Sequence, residues 1–168
     1  ANFPYKSLEE FRQAADCSTA EEAEVELILL IQREMISDED SRELARLQQD
    51  GEEEDPPCYF TKVFRSGCLK GFTCFMDEEG LVRAASRLQY AEFLGFEEKN
   101  PVVLPSSHPA STLLVMEYHR RLDHTGAKTT YAVLSKKYAL SLNFVKKTLR
   151  GCDHCRASNP LPVKVPMA

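Results

Sequence analysis

His119-Arg120-Arg121-Leu122-Asp123-His124 and, after a spacer of 27 residues, Cys152-Asp153-His154-Cys155 are the stretches on which the reading of this chain turns. Two imidazoles and two thiolates make a complete tetrahedral set for zinc, and a filled shell leaves no position for a catalytic water. The expected site is therefore structural, a Zn²⁺ held by His119, His124, Cys152 and Cys155. Residues five apart on an unbroken α-helix point about 140° from one another and cannot share one ion. A helix must end between the two histidines, and Asp123 with Thr125-Gly126 supplies the break. Gly151 ends a later helix and brings both cysteines towards the same end of a bundle. Each of the four residues alone is more often a surface histidine or a buried thiol than a ligand. Their order and spacing are what join them. His154 and Asp123, inside the spacers, are rival ligands, of which His154 is expected outside the shell.

Around these residues the C-terminal third reads as three short helices. Leu114, Tyr118 and Leu122 recur at helical spacing in the first, and Ala127, Tyr131, Leu134 and Tyr138 in the second. Thr125 is the expected cap of the second helix and Ser141 of the third. The third helix turns Leu142, Val145 and Leu149 inward and Asn143, Lys146, Lys147 and Arg150 outward. The brief Ala139-Leu140-Ser141 link between the last two helices outlines a helix-turn-helix.

Upstream, Ser7-Leu8-Glu9-Glu10, Thr19-Ala20-Glu21-Glu22 and Ser37-Asp38-Glu39-Asp40 each place a hydroxyl cap three residues ahead of a carboxylate, and each predicts a helix start. The middle helix, with Val25, Leu27, Ile28, Leu29, Leu30, Ile31 and Met35, is apolar on more than one face and should be the buried member. Gly51 to Pro57 combines a charge run with two prolines and reads as a linker. Residues 59–64 and 72–76 have strand composition, and Asp77-Glu78-Glu79-Gly80 has the chemistry of a hairpin turn before Leu81-Val82-Arg83. Val102-Val103, bracketed by two prolines, is a short extended segment. Cys58, Cys68 and Cys74 lack a fourth partner and read as thiols rather than a second metal site.

The 168 residues carry a net charge of −5, which conceals a division. Residues 1–60 hold 17 acidic and 5 basic side chains, a balance of −12, whereas residues 109–168 hold 3 and 10, a balance of +7. That asymmetry points to an acidic arm and a basic, nucleic-acid-facing module. No apolar run is long enough to span a membrane, and the first residues lack the pattern of a signal peptide. An intracellular place is expected, the nucleus before the cytoplasm. The resulting fold class is α+β: N-terminal helices, a small antiparallel β-sheet, and a C-terminal zinc-bound three-helix bundle with a helix-turn-helix. Its expected units are an acidic helical arm (1–50), an acidic Pro-rich linker (51–58), a small β region (59–107), a zinc-binding domain (108–158) and a Pro-rich linker (159–168).

On these residues the chain resembles the HHCC zinc-binding N-terminal domain of retroviral and retrotransposon integrases. The segments Asp77 to Arg83, Asn100-Pro101-Val102-Val103-Leu104-Pro105 and His108-Pro109 also resemble the stretch preceding that domain in BEL/Pao-type retrotransposon polyproteins. Glu24-Val25-Glu26 with Leu29 to Glu34 resembles a helix found before it there. The resemblance implies a non-catalytic module that supports multimerisation and engages DNA ends, with strand transfer left to a separate integrase core bearing three metal-binding carboxylates. No such core is read in this chain, and Pro160 to Pro166 looks like a linker that would lead into one.

The expected function is a non-enzymatic zinc module for nucleic-acid binding and multimerisation, in DNA integration or in a domesticated derivative. The expected partners are DNA, a second copy of the chain, or an integrase core in the same polyprotein. Phosphate contacts are expected from Lys136, Lys137, Asn143, Lys146, Lys147, Arg150 and Arg156. The alternative is a structural adaptor that does not bind DNA, its acidic arm packed on the basic module. A three-helix unit of about fifty residues lies near the size at which a core alone fails, so chelation is expected to unfold it.

Overall fold

The computed structural model describes residues 3–50, 69, 71, 73–85, 88 and 90–158, with the side chains of 43, 45 and 47–50 left aside. The strand expected at 59–64 and both linkers, with Cys58 and Cys68, lie outside the described residues.

The three predicted helix starts are all present. Helix α1 (Leu8–Ala14) is capped by Ser7, whose hydroxyl accepts the Glu10 amide, and α2 (Ala20–Met35) opens with a reciprocal capping box between Thr19 and Glu22. Ser37 likewise accepts the Asp40 amide at 3.2 Å at the head of α3 (Asp38–Asp50). These contacts satisfy amides that the helix geometry leaves without partners.

A hairpin follows, β1 (Cys74–Met76) antiparallel to β2 (Val82–Ala84). Its turn is built on Asp77, which accepts from the Glu79 and Leu81 amides, and on Gly80, whose φ of +80° a side chain would strain. A short α4 (Phe96–Lys99) leads to β3 (Val102–Val103), then come α5 (Pro109–Arg121), α6 (Ala127–Leu134), β4 (Tyr138–Ala139), α7 (Leu142–Leu149) and α8 (Asp153–Ser158). The sheet order is β1-β2-β3-β4, with β3 and β4 parallel, in register Val102 to Tyr138 and Val103 to Ala139.

The sheet is therefore mixed rather than wholly antiparallel. The link between α6 and α7 is also not a bare turn. Ser135 ends α6, the Lys136 and Lys137 amides close its last turn, and Tyr138-Ala139 pairs with β3 before Ser141 caps α7. The Val102 amide donates to the Lys137 carbonyl at 2.8 Å. Strand β3 thus pairs with Tyr138, which periodicity assigned to the second helix, and with Ala139, expected in the turn. Thr125 does not cap α6; Gly126 occupies that position without a side-chain bond.

Alternation along the strands divides the interior. Leu81, Val102 and Leu104 face a large core with Leu8, Phe11, Leu27, Ile31, Leu114, Leu134 and Val145, while Val82, Ala84 and Val103 face a smaller one with Ile36, Leu44, Leu69 and Cys74. Helices α1 and α2 share the large core with α5, α6 and α7. Gln32 of α2 reaches between the central strands: its Nε2 donates to the Val82 and Val103 carbonyls at 3.0 and 2.9 Å, and its Oε1 accepts the Val82 amide at 2.9 Å. At the start of α5, His108 Nδ1 accepts the Ala110 amide, which leaves the proton on Nε2 to donate to Glu34 at 2.9 Å.

Glu24 ties α2 to the C-terminal helices. Its buried carboxylate accepts from the hydroxyls of both Tyr118 and Tyr138, with Arg121 and Lys137 each 3.9 Å away. Burial first, and then the negative charge of Glu24, push both phenols well above their ordinary pKa. Raised folded-state values make stability hold below about pH 10, the unfolded phenol's value, and fall as pH rises above it. For each phenol the slope is at most about −1.4 kcal/mol per pH unit, approached above pH 10 where the unfolded phenol is ionised and the folded one is not. Urea midpoints between pH 9 and 11 measure this. Tyr138→Phe should flatten the decline, and an unchanged slope would show that the pair does not carry it.

Candidate metal centre

The helix break that the histidine spacing requires is present. Helix α5 stops at Arg121, and the His124 amide donates back to the His119 carbonyl at 2.9 Å, folding the second histidine over the end of the helix that carries the first. Asp123 and His124 adopt φ of +49° and +58°, the left-handed region that costs a residue with a side chain about 1–2 kcal/mol. Asp and His enter that region more readily than most residues. Two such residues in succession at a turn that presents a ligand are the kind of strain a bound group offsets.

The cysteines arrive from the other side. Helix α7 ends at Leu149, and the Gly151 and Cys152 amides bond back to Thr148 and Leu149. A Cβ on Gly151 would lie 3.3 Å from the Thr148 carbonyl oxygen, so the turn favours glycine. Cys155 then sits on the first turn of α8, a helix the sequence reading did not include. Asp153 in its first turn and Arg156 three residues on were the available signals.

His119 Nε2 lies 3.1 Å from Cys155 Sγ, and His124 Nδ1 lies 3.3 and 3.7 Å from the sulfurs of Cys152 and Cys155. All four ligand atoms fall within 4.8 Å of one another, and the group can hold a metal ion. A tetrahedral N₂S₂ shell with ordinary zinc bond lengths has edges of about 3.3–3.8 Å, so the widest-spaced ligand atoms would have to close by up to about 1 Å around an ion. His119 and Cys152 are buried, while His124 and Cys155 are half-buried. His119 Nδ1, on the far side of the ring, is a buried nitrogen that makes no hydrogen bond among the described residues, whereas a metal-bound histidine usually donates from that atom to an outer partner.

Burial, followed by the charge of His124, lowers the His119 pKa and keeps the imidazole neutral. Burial, with the hydrogen bond and charge of Cys152, raises the Cys155 thiol. Two adjacent sulfurs resist ionising together unless a positive ion lies between them, and a coordinating metal deprotonates them outright.

The rival ligands lie outside the group. His154 is exposed and stacks on His124 with ring centroids 4.1 Å apart, and Asp123 is exposed on the turn. The hydroxyl of Thr125, between the turn and α6, is buried without a partner.

The seven expected phosphate contacts are all exposed, but they do not form one free surface. Lys136 pairs with Glu98 at 3.3 Å, Lys137 approaches Glu24, and Arg156 pairs with Asp153 at 3.6 Å. Asn143, Lys146, Lys147 and Arg150 share the outer face of α7, and no ion pair engages the three cations among the described residues. No helix of the described residues is long and apolar enough to cross a membrane. No protein-family model, curated protein or solved structure matches the chain.

Proposed function

We propose that His119, His124, Cys152 and Cys155 hold a structural zinc ion, and that the helical end it closes presents α7 to nucleic acid in the manner of the integrase N-terminal zinc domain that the sequence resembles. The observation that carries the reading is the convergence of four ligand atoms within 4.8 Å. Zinc is favoured because a set of two nitrogens and two sulfurs matches its preference, and four protein ligands leave no place for a reacting water. The module is accordingly non-catalytic. Zinc bound by two thiolates and two neutral imidazoles adds no net charge, so the basic face is preserved.

Lys146, Lys147 and Arg150 are the cations most available for phosphate. Three such contacts give a logarithmic salt slope of about −2.7, or a fall of about 40-fold in affinity between 50 and 200 mM salt. Duplex DNA titrated at those two concentrations measures this. Lys146→Ala with Lys147→Ala should reduce the slope by about 2. Absence of salt-dependent binding would leave the interaction adaptor as the better reading. That second reading has its own support in Glu24, through which α2 engages Tyr118 and Arg121 of α5 and Lys137 and Tyr138 beside β3.

A further inference from the structure

Helix α2 leaves a gap where it crosses the sheet. In its N-terminal half Glu21, Glu24, Val25 and Ile28 recur at intervals of three and four, so they share one side of the helix. Arg83, Val102 and Tyr138 stand side by side in register across β2, β3 and β4. Both sets line a cavity of about 220 Å³. Sites for drug-sized molecules occupy about 300–1,000 Å³, so this one suits a single side chain or a molecule of that size.

The lining indicates the chemistry. Val25, Ile28, Leu81 and Val102 supply apolar surface, and Glu21, Glu79 and Glu97 are exposed carboxylates with no ion pair among the described residues. Glu24 adds a fourth carboxylate, only 6% exposed. Both tyrosine hydroxyls donate to its Oε1, whereas its Oε2 accepts no hydrogen bond among the described residues and Arg121 stands off at 3.9 Å. That oxygen is not sealed in protein either, since the enclosed side-chain atoms without a partner are His119 Nδ1 and Thr125 Oγ1 among the described residues. A charge buried this far calls for a donor. The two cations of the lining do not supply it. Arg83 is committed to Asp77 at 2.5 Å and to the Asn100 carbonyl at 3.2 Å, and Lys137 Nζ lies 3.9 Å from Glu24 Oε1, beyond hydrogen-bond reach. With the charge of Arg83 offset by Asp77, the carboxylates outweigh Lys137 and give the cavity a negative potential.

We propose that this cavity binds a guanidinium group on an aliphatic stem, the chemistry of an arginine side chain, with the guanidinium donating to Glu24 Oε2 and the stem lying on the apolar lining. An anion meets repulsion from the carboxylates, and an uncharged apolar group leaves Oε2 without a donor. Guanidinium is preferred to ammonium because it is more weakly hydrated, and because its fork of donors can serve Glu24 and Glu21, one helical turn apart, together. The same chemistry comes from a free guanidine or from an arginine of another protein. The site shares no residue with the metal centre or with α7, so it stands or falls separately from the zinc and nucleic-acid readings.

The test titrates butylguanidinium into the intact chain while NMR follows the methyl resonances of Val25, Ile28, Leu81 and Val102, with butanol as the uncharged probe. Butylguanidinium should shift these methyls saturably, in the millimolar range expected of so small a ligand, and butanol should not. Three variants, each checked for fold by circular dichroism, locate the binding. Val25→Phe fills the cavity without altering its charge and should abolish the shift. Glu21→Gln with Glu97→Gln, on exposed positions, should weaken binding at least threefold. Lys137→Ala should strengthen it at least twofold, the opposite of what an anion site would show. An end-blocked arginine tripeptide that binds at least tenfold more tightly than butylguanidinium would assign the ligand to a protein chain, and equal affinity would assign it to a free guanidine. No saturable shift into the tens of millimolar, an equal shift from butanol, undiminished binding in the Glu21 and Glu97 pair, or weaker binding in Lys137→Ala would overturn the proposal.

Discussion

Chelating the metal, or replacing Cys155 with serine, should lower the thermal midpoint by about 8–16 °C. A ligand bound only by the folded state at a thousand times its dissociation constant contributes about 4 kcal/mol, and a chain of this size shifts about 2–4 °C per kcal/mol. The loss should be concentrated at one end of the molecule. Without the ion, nothing offsets the left-handed conformations of Asp123 and His124, and α8 is held through Cys155. The remainder of the helical unit is better protected than its length implies, because α5, α6 and α7 share a core with Leu27 and Ile31 of α2. The outright unfolding expected of an isolated fifty-residue bundle is therefore replaced by a local opening followed by earlier melting. Amide exchange should accelerate first in residues 119–126 and 150–158. Cys17→Ser, remote from the centre, is the control and should leave both measurements unchanged. An identical melt with and without chelator would remove the ion from the account of stability.

Replacing Gln32 with leucine should cost about 3–5 kcal/mol, even though the change is from a polar to an apolar residue in the interior. The amide side chain is the partner of three backbone groups between β2 and β3. Each buried group left unpaired costs about 1–3 kcal/mol, against which the added apolar burial is a partial offset. Gln32→Glu separates pairing from size. It keeps an acceptor for the Val82 amide but cannot donate to the Val82 and Val103 carbonyls, and it brings a charge into the core. Both variants should reduce the urea midpoint without changing the denaturant slope. A loss below about 1 kcal/mol in either would mean that the strands find other partners.

The features legible in the sequence are those whose physics is local. Ser7, Thr19, Ser37 and Ser141 announce helix starts because the capping partner lies three residues away. Asp77 to Gly80 encode their turn, and the interval between His119 and His124 demands the helix break that φ at Asp123 and His124 provides. Features that depend on distant partners were not legible. Strand β4 is two residues long, has no periodicity to display, and owes its form to Val102-Val103, which are about 36 residues earlier in the chain. Gln32 and Glu24 look like ordinary polar positions on an amphipathic helix, and only the fold brings them to partners 50 to 114 residues away. The same distinction applies to the basic residues. Their charge is visible in the sequence, but the engagement of Lys136 and Lys137 by Glu98 and Glu24 is not. The four residues that could hold a metal were legible as a group because four donor types at a fixed spacing constrain one another.

X-ray absorption at the zinc edge, on the intact 168-residue chain purified with zinc and freed of excess, tests the central claim most directly. The structure-based account requires one zinc per chain, with two sulfurs at about 2.3 Å and two nitrogens at about 2.0–2.1 Å. The signal should disappear in Cys155→Ser. Substoichiometric metal in the wild type, a shell containing water oxygen, or an undiminished signal in the variant would contradict it.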